Sequence, residues 1–484
     1  MRTKLRARLR QQRRTSRTSN VHNIMAARLE AKLDGKLDAK INEERANSPR
    51  TRFNWQVLAA TWLGEMFDGM DASIYVLVMY QCLSELIGSS AHSTVAPIGA
   101  TVLAIFIVGW VVGGICCGIL ADYYGRSKVM LATILVYAAA SGLCALSHNW
   151  VELACYRFLV GFGIGGEIGL GAVLVAETFK GRSRLHAASF IASSFAAGYL
   201  LAAVANLYLG HLGWRYLFLL GVTPALVTLY FRTKLKEPEH FEQVKRAKLI
   251  EREIARAYGS KVIHEPFTLP QIFSRQNLAK TLAAIGLSTP AIVGYWAVLS
   301  WLPAWVTQMV GGEAIVERSV TAVALNIGGL IGALGAGLLV EKIGRAKSFR
   351  LANCGALLCG LILFGTIKEY GLLLLSVAFL LGFFAQMLFA LLFIYVPELY
   401  EAKIRCTGVT TSITAGRIFA AMAAILGGQI IACLNGSYAS AAILFSSVYF
   451  IGAIVSFFLP KHKEEVSSYA NEEALSHEQK LRAN

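Results

Sequence analysis

The chain has 484 residues, of which 55% are hydrophobic and only 16% charged, and its mean hydropathy is +0.53. Soluble domains carry about 25% charged residues, so this composition excludes one large soluble core and points to a polytopic membrane protein. The formal net charge is +16, and the nine cysteines show no CxxC pair and no zinc spacing, which sets aside a disulfide framework and a metal centre.

The tail comes first. Residues 1–52 hold 15 Lys/Arg against 5 Asp/Glu. A basic tail is one route to nucleic acid. Beside so many apolar runs it reads instead as a cytoplasmic segment near anionic headgroups, with no nucleic-acid partner. Its first stretch, MRTKLRARLRQQRRTSRTSN, contains no acid, and no secretory apolar run follows it. Leu29, Leu33, Leu37 and Ile41 then recur every four residues, the spacing of an amphipathic helix.

From residue 55 onward, runs close to the roughly 20 residues needed to cross a bilayer recur. The predicted spans lie near 55–79, 96–120, 128–147, 151–176, 186–210, 213–231, 280–309, 318–340, 349–367, 371–396, 408–433 and 438–460. The longest polar interruption, 232–279, separates six spans from six. The expected organisation is a basic tail (1–53), a six-helix bundle (54–231), a linker loop (232–279), a second six-helix bundle (280–460) and a C-terminal tail (461–484). With the tail inside, the short loops on its side hold eleven Lys/Arg and the opposite loops three. That asymmetry places both termini in the cytoplasm.

An internal repeat fixes the architecture. In GILADYYGRSK and GLLVEKIGRAK, the residues Gly118, Asp122, Gly125, Arg126 and Lys128 map onto Gly337, Glu341, Gly344, Arg345 and Lys347 at an offset of 219. Glu177 maps onto Glu398 at an offset of 221. Parallel repeats of this kind place a binding site at their interface, near mid-membrane.

The duplicated loop matches the signature loop of the major facilitator superfamily, and the resemblance covers residues 53–462. It implies an all-α membrane protein of 12 transmembrane helices in two six-helix bundles. Gly118 allows close helix approach. Asp122 is expected to accept hydrogen bonds from a neighbouring helix N-terminus, where the dipole favours an anion. Arg126 and Lys128 would hold the cytoplasmic face shut. The second copy departs with Glu341 in place of Asp, which implies a weaker gate. RFLVGFGIGGEIGLGAVLVAETF, FDGMD, GWRYLF, WLP and PELYEAKIRCTG resemble the proton-coupled organic-acid symporters of that superfamily, which include sialate, aromatic-acid and niacin-type carriers.

The charges inside the spans carry the chemistry. Asp68 and Asp71 share one helix face, with Glu65 a turn further back. At about 1.5 Å per residue, Asp68, Asp71 and Arg157 fall at similar depth, roughly 20 Å above the inner face. Two acids raise each other's pKa and a nearby Arg lowers it, so the three form a candidate proton site; a static ion pair is the other reading. Glu167 is either a second stop for the proton or an acid reaching cytoplasmic water. Arg417 lies near the midplane, where an unpaired charge is costly. A carboxylate substrate would complete it, as would an acid from the other half or a backbone carbonyl. Asn326, Gln386, Tyr295 and Trp296 add polar and aromatic groups suited to a ring or a polar anion.

The expected function is alternating-access symport of a small organic anion with protons, by a monomer, with no cofactor beyond the proton gradient. The alternative is an exporter or antiporter of drugs, cations or a neutral metabolite such as a sugar. No Walker loop, metal cluster or nucleophile elbow is present, which argues against an enzyme. The acids and both loops argue against a non-transporting sensor. The expected setting is a bacterial inner membrane, with a eukaryotic organelle or plasma membrane left open.

Overall fold

A computed structural model describes residues 55–88, 92–179, 181–222, 268–310, 315–401, 403–433 and 438–459. All regular structure in these residues is helical. In hydrocarbon no water can satisfy a backbone N–H or C=O, so each apolar run must close its hydrogen bonds within itself, as a helix.

The first half holds α1 (Trp55–Ile87), α2 (His92–Tyr124), α3 (Arg126–Ala145), α4 (Trp150–Thr178), α5 (Gly181–Leu209) and the short α6 (Trp214–Leu220). After a helical turn at Thr268–Ile272 come α7 (Leu278–Val310), α8 (Ile315–Ile343), α9 (Arg345–Gly365), α10 (Leu372–Tyr395), α11 (Arg405–Cys433), α12 (Tyr438–Ser446) and α13 (Val448–Val455). Among the described residues eight helices are long and apolar enough to cross a membrane. A ninth is α1, which bends by 59° between Leu58–Met79 and Gln81–Ile87. The sixth predicted span is seen as α6, and residues 223–231 lie outside the described residues, as do both tails and most of the linker. The twelfth span is divided into α12 and α13.

Local chemistry explains the breaks. Gly125 and Gly344 take φ of 110° and 80°, a left-handed region glycine enters at little steric cost. Each turns one helix into the next within a single residue. Asn149 caps α4, its side-chain oxygen accepting from the Glu152 amide at 2.9 Å.

The polarity is inverted relative to a soluble protein. Leu120, Leu135, Leu282, Leu338, Leu358 and Phe450 are exposed on the outside, while Asp68, Asp71, Arg157, Glu167 and Arg417 are buried within. Without water to drive helices together, close packing of small residues does much of the work. A Cβ on Gly109 or Gly113 of α2 would come within about 2 Å of the Phe158 or Phe162 carbonyl oxygen of α4. Gly328 and Gly332 of α8 press on Phe379 and Phe383 of α10 in the same way. The glycines again stand 219 apart and the phenylalanines 221, the two offsets of the loop pairs, so the repeat extends from the loops into the packing of the spans.

Candidate functional site

A cavity opens where the two halves meet. Glu65 of α1, Trp110 of α2, and Ala192 and Phe195 of α5 line one side; Tyr295 and Trp296 of α7, Gln386, Phe389 and Phe393 of α10, and Arg417 of α11 line the other. Its aromatic rings form a linked set. Trp110 lies 5.9 Å from Trp296 and 6.3 Å from Phe195, and Tyr295 lies 5.0 Å from Phe389. Water centres find about 30 Å³ of free volume, room for two or three waters. A ring therefore enters only if the walls part.

Arg417 stands out electrostatically. Its guanidinium carbon sits 4.2 Å over the Trp110 ring, a cation–π geometry. Its Nη1 reaches the Ile413 carbonyl only at 3.5 Å, and its Nε has no hydrogen-bond partner among the described residues. Tyr295 Oη likewise has none. Gln386 donates across the interface to the Ala192 carbonyl at 2.9 Å. Opposite, Ser194 Oγ lies 3.5 Å from Glu65 Oε2. Gly171 makes room for this acid, since a Cβ there would come 2.2 Å from Glu65 Oε1. Asn326 is not among the cavity-lining residues described; its amide turns back to the Ala322 carbonyl of its own helix at 2.8 Å.

The structure joins Asp71 to Arg157. Arg157 Nη1 donates to Asp71 Oδ2 at 3.1 Å with both side chains fully buried, and Ser141 donates to Asp71 Oδ1. The Arg157 guanidinium carbon lies 4.5 Å from the Phe106 ring, 5.2 Å from Tyr75 and 5.8 Å from Phe218. This pair is enclosed by rings behind the cavity wall. Asp68, three residues earlier on α1, and Glu167 on α4 are also fully buried.

The duplicated loops form a second cluster. Asp122 accepts from the Cys406 and Thr407 amides at 3.3 and 2.9 Å, and from Thr407 Oγ1 at 2.7 Å. These donors open α11, so the aspartate sits at the positive end of a helix from the other half. A Cβ on Gly118 would meet Thr410 Oγ1 at 1.8 Å, and one on Gly337 would meet Ser189 Oγ at 3.0 Å. Glu341 is exposed and lies 3.2 Å from His186 Nε2. The longer side chain thus reaches a flank of α5, where Asp122 reaches backbone amides. Arg405 donates to Glu177 at 3.3 Å; Glu398 accepts from Arg345 at 2.8 Å and from Arg184. Lys128 and Lys347 are exposed at the starts of α3 and α9. The side chain of Arg126 lies outside the described residues.

Sequence reasoning missed several of these groups. Arg184 and Arg405 were legible only as loop charges, although they stand 221 apart like Glu177 and Glu398. Trp110, Phe195, Phe389 and Phe393 are aromatic residues among many in apolar spans. Glu65 was visible only as a neighbour of the FDGMD acids.

The chain matches the Major Facilitator Superfamily model over residues 61–374 and 319–482, and it belongs to that family. A Haemophilus influenzae protein named for metabolite transport is 31% identical over 410 residues, covering 84% of this chain and 96% of its own. The niacin transporter NiaP of Acinetobacter baylyi is 27% identical over 391 residues, covering 77% and 86% respectively. Among solved structures, the proton:xylose symporter XylE superposes with a TM-score of 0.69 at 17% identity, over 84% of this chain and 95% of that one. The protein is therefore an integral, multi-pass membrane transporter of the major facilitator fold, built as 12 helices in two bundles, and not an enzyme.

Proposed function

We propose that this transporter carries a small organic anion, a carboxylate on a flat ring, into the cell together with a proton. The observation that carries the reading is Arg417: a guanidinium with an unused Nε–H, stacked on Trp110 in an aromatic cavity that both halves build. A buried guanidinium in this setting favours a planar anion, which it can hold through paired N–H donors. The surrounding rings favour a flat apolar body. Tyr295 and Gln386 supply polar groups for a substituent. The chemistry of niacin, an aromatic carboxylic acid carried by the Acinetobacter relative, fits this description.

The loop cluster supports alternating access. Asp122, Glu177 and Glu398 each hold a group of the other half, and Gly118 and Gly337 bring the halves into contact on the same side. We read this as the state closed at the face carrying the duplicated loops. Its positive charge supports a cytoplasmic face, with both termini on that side of a bacterial inner membrane. One chain lines the described cavity from both halves, which supports a monomer as the working unit. The proton gradient supplies the coupling, and the buried acids of α1 and α4 are its candidate carriers: Asp68, Asp71 with Arg157, and Glu167.

Titration calorimetry of the purified protein against benzoate, nicotinate, benzamide and nicotinamide tests the reading. The acids bind and the neutral amides do not, and Arg417→Ala removes the difference. Equal binding of acid and amide would overturn it and favour a neutral-solute carrier.

A further inference from the structure

The two copies of the duplicated loop make the same contact with different chemistry. Asp122 and Glu341 stand 219 apart, and the residues they reach, Thr407 and His186, stand 221 apart in the opposite order of halves. These are the two offsets of the repeat, so one contact is made once in each direction. In the first, Asp122 accepts from the Thr407 hydroxyl and from two backbone amides of α11. In the second, Glu341 Oε1 lies 3.2 Å from His186 Nε2. Hydroxyl and amide donors keep their protons at any ordinary pH, whereas an imidazole gains and loses one. We propose that His186 and Glu341 form a pH-sensitive latch between the halves, which tightens as the solution at that face acidifies. The inference rests on the proposed reading of this face as a cytoplasmic one that opens and closes.

An imidazole ordinarily titrates near about pH 6.5, so its charge changes between about pH 5 and 8. Neutral, His186 offers Glu341 one N–H donor. Protonated, it adds a positive charge to the same contact, and a charge-assisted hydrogen bond is roughly twice as strong as a neutral one. When the halves part at this face the contact breaks and both groups return to water. The closed state therefore gains as pH falls through that window, and the gain is lost as pH rises. The His186 side chain is 43% exposed and that of Glu341 25%. Protons reach the pair from solution, and solvent also screens it. A pair this exposed shifts the closed–open balance by a factor of about two to five. The latch thus adjusts a gate whose other ion pairs, Arg184–Glu398 and Arg405–Glu177, use guanidiniums that keep their charge throughout.

The charges on the neighbouring elements leave the imidazole as the part that switches. On α5, Arg182 lies one turn before His186, and Arg184 is engaged with Glu398 just past α10. On α8, Lys342 follows Glu341, and Arg345 beyond the Gly344 turn also reaches Glu398. From α4 comes Glu177, held by Arg405 of α11. The described part of α1 brings no acid or base before Glu65, which is buried deeper in the bundle. Among the described residues of this face, His186 is the one imidazole. The consequence is regulatory. A carrier that imports protons acidifies the compartment it fills. An acid cytoplasm tightens the latch, delays opening on that side and slows further uptake, so the transporter limits itself.

The experiment follows maleimide labelling of Cys406, buried at the start of α11, in the purified full-length protein. Labelling is resolved by peptide mass spectrometry from about pH 5.5 to about pH 8, across the imidazole window. Each rate is compared with that of His186→Gln at the same pH, which cancels the ionisation of the thiol itself. The wild type labels about two- to fivefold more slowly than His186→Gln at the acid end and equally fast at the alkaline end. His186→Lys, charged throughout, stays slow at both ends. Glu341→Gln labels as fast as His186→Gln, and adding His186→Gln to it changes nothing. A ratio of wild type to His186→Gln that does not vary with pH would overturn the latch, as would a pH-dependent ratio that survives in Glu341→Gln. Arg184→Ala with Arg405→Ala separates the two levels of the inference. If that variant labels faster while the His186 ratio stays flat, the latch alone fails. If it labels no faster, the reading of this face as a gate fails and takes the latch with it.

Discussion

Arg405 Nη1 lies 3.3 Å from Glu177 Oε1, joining the second half of the chain to the first. The relation is reciprocal: Arg184, 221 residues before Arg405, reaches Glu398, 221 residues after Glu177. Two repeats facing each other about a shared axis exchange the same contact twice.

On the proposed alternating-access reading, these ion pairs hold one face closed. Each has a buried carboxylate and a guanidinium about a fifth exposed, between a surface pair and a buried one, so about 1–2 kcal/mol each is a fair magnitude. Arg184→Ala with Arg405→Ala shifts the balance toward opening at this face by about tenfold or more, at about 1.4 kcal/mol per decade. Cys406, fully buried at the start of α11, is the native reporter. Its maleimide labelling rate rises in the double variant; an unchanged rate would show that the pairs do not govern opening.

Gly118 tests the packing beneath that gate. With Thr410 Oγ1 1.8 Å from a built Cβ, a methyl group forces α2 from α11. Overpacking of this kind costs about 1–3 kcal/mol. Gly118→Ala lowers the melting temperature and adds to the labelling of Cys406, whereas Gly335→Ala, where a Cβ meets nothing within 4 Å, leaves both unchanged.

The buried Asp71–Arg157 contact also ties α1 to α4. Removing one partner of a buried pair leaves the other charge uncompensated, at about 3–5 kcal/mol. Asp71→Asn is strongly destabilised in detergent, and Asp71→Asn with Arg157→Gln recovers much of the loss because no charge remains stranded. A single variant as stable as the wild type would contradict this.

How much was legible beforehand is best judged from particular residues. Asp122 was expected at a helix N-terminus, and it accepts from two amides of α11. The reason is general: a short acid one turn before a basic loop, duplicated at fixed spacing, carries its geometry with it. The depth of Asp71 and Arg157 could be counted along two helices at a fixed rise, and their meeting needed only one further fact, that α1 packs on α4. Glu65 was harder. Which face of α1 turns to the cavity depends on how α1 bends and where α5 lies, and neither is encoded in the spacing of its own acids. The aromatic wall was hidden for a similar reason: in a lipid-facing protein, Phe and Trp occupy both surfaces of a helix, so periodicity does not separate lining from lipid contact. Asn326 shows the reverse. It is polar and within a span, but its amide bonds to its own backbone.

At the opposite end, Glu85 gives a pH dependence. It accepts from Arg215 and, at 2.7 Å, from Trp214 Nε1, and the Arg215 guanidinium holds its carboxyl below the usual carboxylate range. A depressed folded value means the contact stabilises fully above the unfolded value of about 4.3 and is lost as pH falls through the folded one. Both side chains are about half exposed, so screening keeps the effect small. Glu85→Gln should flatten the acid limb of melting temperature against pH and leave neutral pH nearly unchanged; an unaltered acid limb would count against it.

The most direct measurement is uptake of labelled benzoate and nicotinate into proteoliposomes, with and without an inward proton gradient, for the wild type and Arg417→Ala. Gradient-stimulated uptake of at least one acid by the wild type, lost in Arg417→Ala, is the expected result. Uptake indifferent to the gradient, or undiminished in Arg417→Ala, would contradict proton-coupled anion transport through this cavity.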